Sequence, residues 1–252
     1  MRRLADKVAI VTGAAQGIGA AFAQGLAAEG ARIVIADVAD GTETAESIVR
    51  ANGAALYVKT DVTSAQQVRA LVERTVAHFG GLDILVNNAA IFAQLAARKF
   101  TDISSEEFDK VMAVNVRGPF ECAKAATPAM IARGGGKIVN IASATVFKGV
   151  PNLLHYVGSK GAVVAMTRCM ARELGEHNIN VNAIAPGLTM SDGVLAQADY
   201  TPEYIAANMN GRALKRKQVP ADLVGAMVFL CSADSDFITG QTMAVDGGNV
   251  MH

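Results

Sequence analysis

The chain alternates short runs of β-branched and apolar residues with longer segments whose apolar positions recur at helical spacing. The runs KVAIVT (7–12), RIVIAD (32–37), ALYVKT (55–60), LDILVN (82–87), KIVNIA (137–142), INVNAIA (179–185) and QTMAVD (241–246) read as strands. The helical pattern covers 17–29, 41–52, 64–79, 105–132, 155–176 and 220–232. Thr63-x-x-Gln66 and Ser104-x-x-Glu107 are capping boxes for the third and fourth of these helices, and Pro220 suits the first turn of the last. Seven nearly continuous apolar strands separated by helices imply a parallel sheet buried on both faces. Right-handed crossovers make it a doubly wound α/β fold of the Rossmann type. No linker, repeat or low-complexity tract interrupts the pattern, so residues 1–252 are expected to form one domain. The stretch 188–215 fits least well. Apart from a helix start at Thr201-Pro202 it is polar and irregular, and it is expected to act as a lid.

Composition adds mainly exclusions. Apolar residues make up 51% of the 252 positions, enough for a large core. Lys+Arg and Asp+Glu each number 23, a balance that asks for neither nucleic acid nor an anionic membrane. Cys122, Cys169 and Cys231 lie far apart in helical segments and are expected to be buried, unpaired thiols suited to a reducing compartment. The opening MRRLADKVAIVTG does not have the form of a signal peptide, and no apolar run approaches the roughly 18 residues of a bilayer span. A cytoplasmic protein without a metal is expected.

Candidate chemistry begins between the first strand and helix, at TGAAQGIG. Gly13, Gln16, Gly17, Ile18 and Gly19 form a turn where backbone can approach a pyrophosphate and free helix N–H groups can hold it. The spacing is G-x-x-x-G-x-G, a weak signal alone. Asp37 strengthens it, because a carboxylate ending the second strand can accept both hydroxyls of an adenine ribose. It would repel a 2′-phosphate, and no Arg or Lys stands at 14–16 or 38 to welcome one, so NAD is expected over NADP. Val38 follows it, and Asp61 with Val62 and Asn88 with Ala89 stand after the third and fourth strands, where adenine and ribose should lie.

Further on, Tyr156 and Lys160 sit one helical turn apart. Oxidising an alcohol needs a base for the hydroxyl proton, and a tyrosine of pKa about 10 needs a neighbouring cation to serve as one. Lys160 is that expected cation. Ser143 ends the fifth strand, where a hydroxyl can hold a substrate oxygen. Asn115 lies on an apolar helix face and needs partners there. Pro119 has no N–H to offer the Asn115 carbonyl, which predicts a break in the helix and a carbonyl free to bind water.

Together these residues resemble the classical short-chain dehydrogenase/reductase family, and the match runs from TGAAQGIG to DFITGQTMAVDGG. NNAA (87–90) is similar to the family's NNAG, with Ala90 in place of glycine. The family's Y-x-x-x-K falls on Tyr156 and Lys160, its catalytic serine on Ser143 and its catalytic asparagine on Asn115. The resemblance implies that Asn115 holds a water linking the lysine to solvent. It also implies that PGLTMSD clasps a nicotinamide through Pro186, Gly187, Thr189 and Ser191, Ser191 standing where threonine is usual. The tyrosine and lysine also touch the coenzyme in that family, and the helix carrying them packs across an interface, usually in a homotetramer. Gly158, Gly161, Ala162 and Ala165 suit such packing.

A substrate pocket is expected from Ile91, Phe92, Thr145, Phe147, Leu153, Leu188 and the lid. These residues hold no charge clamp, which points to a neutral, bulky secondary alcohol or hemiacetal. GVPN, SDGV and FITGQT resemble members acting on pyridoxal or aryl secondary alcohols. His155 is expected to be exposed beside the site. One rival is an NADPH-dependent 3-oxoacyl-carrier-protein reductase, for which Lys215, Arg216 and Lys217 are the only basic cluster. A sugar-nucleotide epimerase would carry G-x-x-G-x-x-G and a longer C-terminal region. A non-catalytic NAD-sensing protein would be free to lose the four catalytic positions.

Overall fold

A computed structural model describes residues 2–198 and 200–251; Met1, Asp199 (within the expected lid) and His252 lie outside the described residues. In chain order the regular elements are β1 (Val8–Thr12), α1 (Gly17–Ala28), β2 (Arg32–Asp37), α2 (Thr42–Arg50), β3 (Ala54–Lys59), α3 (Ala65–Phe79) and β4 (Ile84–Asn87). Then come α4 (Ser105–Met112), α5 (Gly118–Ala132), β5 (Gly136–Ile141), α6 (Thr145–Lys148), α7 (Leu154–Leu174) and β6 (Ile179–Pro186). The chain continues through α8 (Asp192–Leu195), α9 (Pro202–Asn210), α10 (Ala221–Cys231) and β7 (Thr242–Val245).

The strands form one seven-stranded sheet in the order β3-β2-β1-β4-β5-β6-β7, and every pairing is parallel. Strand periodicity sorts the side chains. Ala9, Val11, Ile33 and Ile35 point to the face covered by α1, α2 and α10, whereas Ile10, Val34 and Ala36 point to the face covered by α3, α5 and α7. This is the doubly wound α/β arrangement expected from the sequence. The order reverses between β1 and β4, so the chain diverges there and leaves a crevice at the carboxyl ends of the strands.

Three local features refine the sequence reading. The cap of α3 is Ser64, whose hydroxyl accepts from Gln67 N–H, while Thr63 turns back to the Asp61 carboxylate. The predicted helix 105–132 is two helices joined by a π-turn over Ala113–Arg117, in which Gly118 N–H donates to the Ala113 carbonyl. A proline at 119 supplies no N–H for the Asn115 carbonyl, and the wider turn accommodates its ring. Cys169 is exposed; Cys122 and Cys231 are buried as expected, and burial pushes both thiols up to about 12. Among the described residues no helix is long and apolar enough to cross a membrane, and no group of three or more His, Cys, Asp or Glu is placed to hold a metal.

Candidate active site

The glycine turn closes tightly against the end of β4. Gly13 has φ +64° and Gly17 φ +61°, and a methyl group on Gly13 would lie 2.7 Å from Ala89 Cα. A methyl on Gly19 would collide with the Gly13 carbonyl. Thr12 braces this junction: its hydroxyl donates to the Val86 carbonyl and accepts from the N–H groups of Asn88 and Ala89. The Asn88 amide donates to the carbonyls of Thr12 (2.9 Å) and Gly13 (2.8 Å), so its nitrogen is taken up in supporting the turn.

At the end of β2 the two Asp37 oxygens accept from Ala15 N–H (2.9 Å) and Ala39 N–H (3.0 Å), and Val38 is exposed beside them. Asp61 spends one carboxylate oxygen on Thr63, in an Asx turn. Val62 turns its side chain into the core against Gly118, so only its backbone faces the crevice. The closed glycine cradle, the start of α1, where Gly17 N–H meets Asp192 Oδ2 at 3.2 Å, and a fixed carboxylate at the end of β2 fit a dinucleotide laid across the crevice. Gln16 is exposed at the start of α1, and Ile18 faces the cavity described below.

Gly187 is glycine for packing reasons, since a methyl there would lie 2.8 Å from Gln218 Oε1 and 2.9 Å from Asp246 Cβ. Pro186, Thr189 and Ser191 line the cavity, and the Thr189 carbonyl accepts from Ser191 N–H.

The four catalytic candidates meet on the β4–β5–α7 side. Asn115 is fully buried; its Oδ1 accepts from Ile91 N–H (2.8 Å), and its Nδ2 donates to the Ile91 carbonyl (3.1 Å) and to Ser159 Oγ (3.1 Å). The amide thereby ties the π-turn to the segment after β4 and to α7. Ser143 Oγ accepts from Thr145 Oγ1 at 2.9 Å. Lys160 Nζ donates to the Ile141 carbonyl at 2.7 Å.

Burial raises the Tyr156 phenol to about 12, with a hydrogen bond to Ser143 acting in the opposite direction. Burial also lowers Lys160 to about 8. The sequence predicts that Lys160, together with the nicotinamide ring, lowers the phenol. In the folded chain Lys160 is anchored to the strand end, 5.8 Å from the Tyr156 ring centroid, and burial sets the direction for the phenol.

A cavity of about 160 Å³ opens over these groups. Phe92, Thr145, Leu153 and Leu188 line it as expected, and Phe92 stacks on Tyr156 with centroids 4.7 Å apart. Ile91 and Phe147 are not among its lining residues. Ile91 is bonded to Asn115, and Phe147 packs on the cluster of Ala142, Val163 and Ala183. The segment 188–215 contributes Val194, Tyr200, Tyr204 and Asn208.

Lys148 and Asn249 were not anticipated. Lys148 ends α6, and Asn249 comes from beyond β7, far in sequence from the rest of the site. The wall is therefore not free of charge. His155 is fully buried, with Nε2 3.1 Å from Glu107 Oε1, which corrects the expectation of an exposed ring.

A family model described as enoyl-(acyl carrier protein) reductase matches residues 13–249. Galactitol 2-dehydrogenase of Agrobacterium fabrum is 43% identical, covering 99% of both chains. The 2-dehydro-3-deoxy-D-gluconate 5-dehydrogenase of Escherichia coli is 41% identical over 97% of this chain and 96% of its own. Among solved structures, a Beutenbergia cavernae protein proposed as an NAD(P)-dependent gluconate 5-dehydrogenase, with NADP bound at low occupancy, superposes with a TM-score of 0.90. It is 35% identical and covers 97% of this chain and 96% of its own.

Proposed function

The chain belongs to the short-chain dehydrogenase/reductase family, and we propose that it is an NAD(H)-dependent dehydrogenase interconverting a bulky secondary alcohol and its carbonyl, with Tyr156 as general acid/base. The carrying observation is that Ser143, Tyr156 and Lys160 line one cavity at the carboxyl ends of the strands, with Asn115 bonded to the segment beside it. When bound, the nicotinamide coenzyme supplies the hydride acceptor for oxidation and the donor for reduction.

The protein's own groups handle orientation and the proton. Ser143, fixed by Thr145, holds the substrate oxygen. Tyr156 removes the hydroxyl proton in oxidation and returns it in reduction. Lys160 keeps a positive charge beside the phenol, and the Asn115 carbonyl, freed by Pro119, is our position for a water that passes the proton to solvent. Residues 1–252 act as one unit, with 188–215 as the lid.

Asp37 supports NAD as the coenzyme, because its carboxylate is held in place by two backbone N–H groups and would face a 2′-phosphate with like charge. The named activities of the relatives support a secondary hydroxyl on an oxygen-rich carbon chain as the reacting group. Open space beside Gly158 and Gly161 on α7 supports packing against a second copy, within a homotetramer, and we take the cytoplasm as its compartment.

A second reading is a reductase of 3-oxoacyl chains on a carrier protein; the description of the matching family model shares the carrier protein with it, although it names an enoyl and not a 3-oxoacyl group. Against it, Arg216 of the basic cluster is spent on Asp222 at 2.7 Å. Initial rates of NADH and NADPH formation over secondary alcohols, polyols and 3-hydroxyacyl thioesters test the proposal. Turnover of alcohols with NAD⁺ supports it, whereas thioester turnover with NADP⁺ alone replaces it by the second reading.

A further inference from the structure

The wall of the cavity carries several hydrogen-bond donors among its apolar residues and, among the described residues, no ionised acceptor. Two of its lining residues are cationic, Lys148 and Lys160, and no Asp or Glu lines it among the described residues. Lys160 is committed to the Ile141 carbonyl. Lys148 has no carboxylate or carbonyl partner among the described residues and stands exposed at the mouth.

Its position is not arbitrary. The single turn of α6 starts at Thr145, which is bonded to Ser143, and ends at Lys148, after which Gly149 turns the chain with φ +63°. The ammonium therefore hangs from the same short turn that fixes the catalytic serine.

The orientation of Asn208 points the same way. Its Oδ1 accepts from Arg212 Nη2 at 2.8 Å. Arginine only donates, so the oxygen must face Arg212 and the amide NH₂ is left as a donor. Arg212 is itself buried and immobilised by the carbonyls of Leu188 (2.6 Å) and Arg216 (3.2 Å). Asn208 and Lys148 both line the cavity, so the lid brings an amide whose NH₂ remains a donor and α6 brings a cation.

We propose that Lys148 and Asn208 form a carboxylate subsite, so that the substrate is a secondary hydroxy acid. Its carbinol lies at Ser143 and Tyr156, and its carboxylate lies at the mouth. One unpaired ammonium and one neutral amide match a single negative charge, which favours a carboxylate over a dianionic phosphate ester. This deepens the dehydrogenase reading, on which it rests, and replaces the neutral substrate expected from the sequence.

The test uses matched pairs: 4-hydroxypentanoate, 5-hydroxyhexanoate and D-gluconate, each with its neutral primary amide, and a hydroxyalkyl phosphate for comparison. Binding is read by calorimetry and turnover by NADH formation. At least one acid is expected to bind and react about tenfold better than its amide, with the difference in KM and a decline in added salt. Lys148→Met should collapse the acid-to-amide ratio to about one, and Lys148→Arg should preserve it.

Equal binding of acid and amide, a ratio untouched by Lys148→Met, or preference for the phosphate overturns the subsite. Acid-selective binding lost in Lys148→Met, but without turnover by either coenzyme, leaves the subsite standing and overturns the dehydrogenase reading instead.

Discussion

Lys160 Nζ donates to the Ile141 carbonyl at 2.7 Å, so the buried ammonium is held by the strand end and not by the phenol of Tyr156. Burial lowers Lys160 from 10.5 to about 8 in the folded protein. Below about 8 the lysine is charged in both the folded and unfolded states, and it contributes no slope to stability. Between about 8 and 10.5 the unfolded chain binds more protons at this site, so stability gains from it as pH rises. Tyr156, raised from 10.0 to about 12, works in the opposite direction above pH 10. Thermal midpoints of the coenzyme-free protein and of Lys160→Met, compared from pH 7.5 to about 9.5, should show a rise for the parent that the variant lacks. Parallel curves would contradict the assignment.

Asn115 joins three elements through one side chain. Asn115→Leu leaves the Ile91 N–H and carbonyl and the Ser159 hydroxyl without this partner, which should cost about 1–3 kcal/mol in denaturant unfolding. It should also lower kcat more than it raises KM, because the cavity wall at Phe92 follows Ile91 directly. A variant as stable as the parent would place the amide's role elsewhere.

Asp37 bonds to Ala15 and Ala39 through different oxygens. Removing the charge by Asp37→Ser should shift the ratio of kcat/KM for NAD⁺ to that for NADP⁺ toward NADP⁺ by at least about tenfold, or 1.4 kcal/mol. An unchanged ratio would mean that the carboxylate serves only the turn.

The first residue of α1 is bonded by α8. Gly17 N–H donates to Asp192 Oδ2 at 3.2 Å, so a carboxylate sits where a coenzyme diphosphate would bring its own charge. Asp192→Asn should tighten NADH binding, measured by calorimetry, by about two- to fivefold, the range expected of one charge at a helix N-terminus. Weaker binding in the variant would mean that Asp192 helps to hold the coenzyme.

What the sequence made legible was what local pattern controls. β2 spans Arg32–Asp37 as its apolar run predicts, because strand period and burial coincide there. The glycine turn and the four catalytic candidates could be read from the sequence because each is tied to a strand end or a helix turn. The π-turn was foreshadowed by Pro119, although its extent depends on what Asn115 meets across the fold. Lys148, Asn249 and Arg212 could not be read in advance, because their places arise from α6, the C-terminal segment and the segment 188–215 converging in space. His155 misled for the same reason, since the partner of its buried ring, Glu107, stands far off in sequence on α4. Ile91 and Phe147 were assigned by proximity in sequence; in the fold the Ile91 backbone bonds to Asn115 and Phe147 packs on the cluster of Ala142, Val163 and Ala183.

The central claim is that Tyr156 moves the proton. The most direct measurement is kcat/KM for NAD⁺-linked oxidation of the best alcohol by the parent protein and by Tyr156→Phe, with coenzyme binding and thermal midpoint measured on both. The account predicts a loss of at least about 100-fold in the variant, the lower range for general base catalysis, with coenzyme binding retained. Activity within a few-fold of the parent in a folded, coenzyme-binding Tyr156→Phe would contradict it.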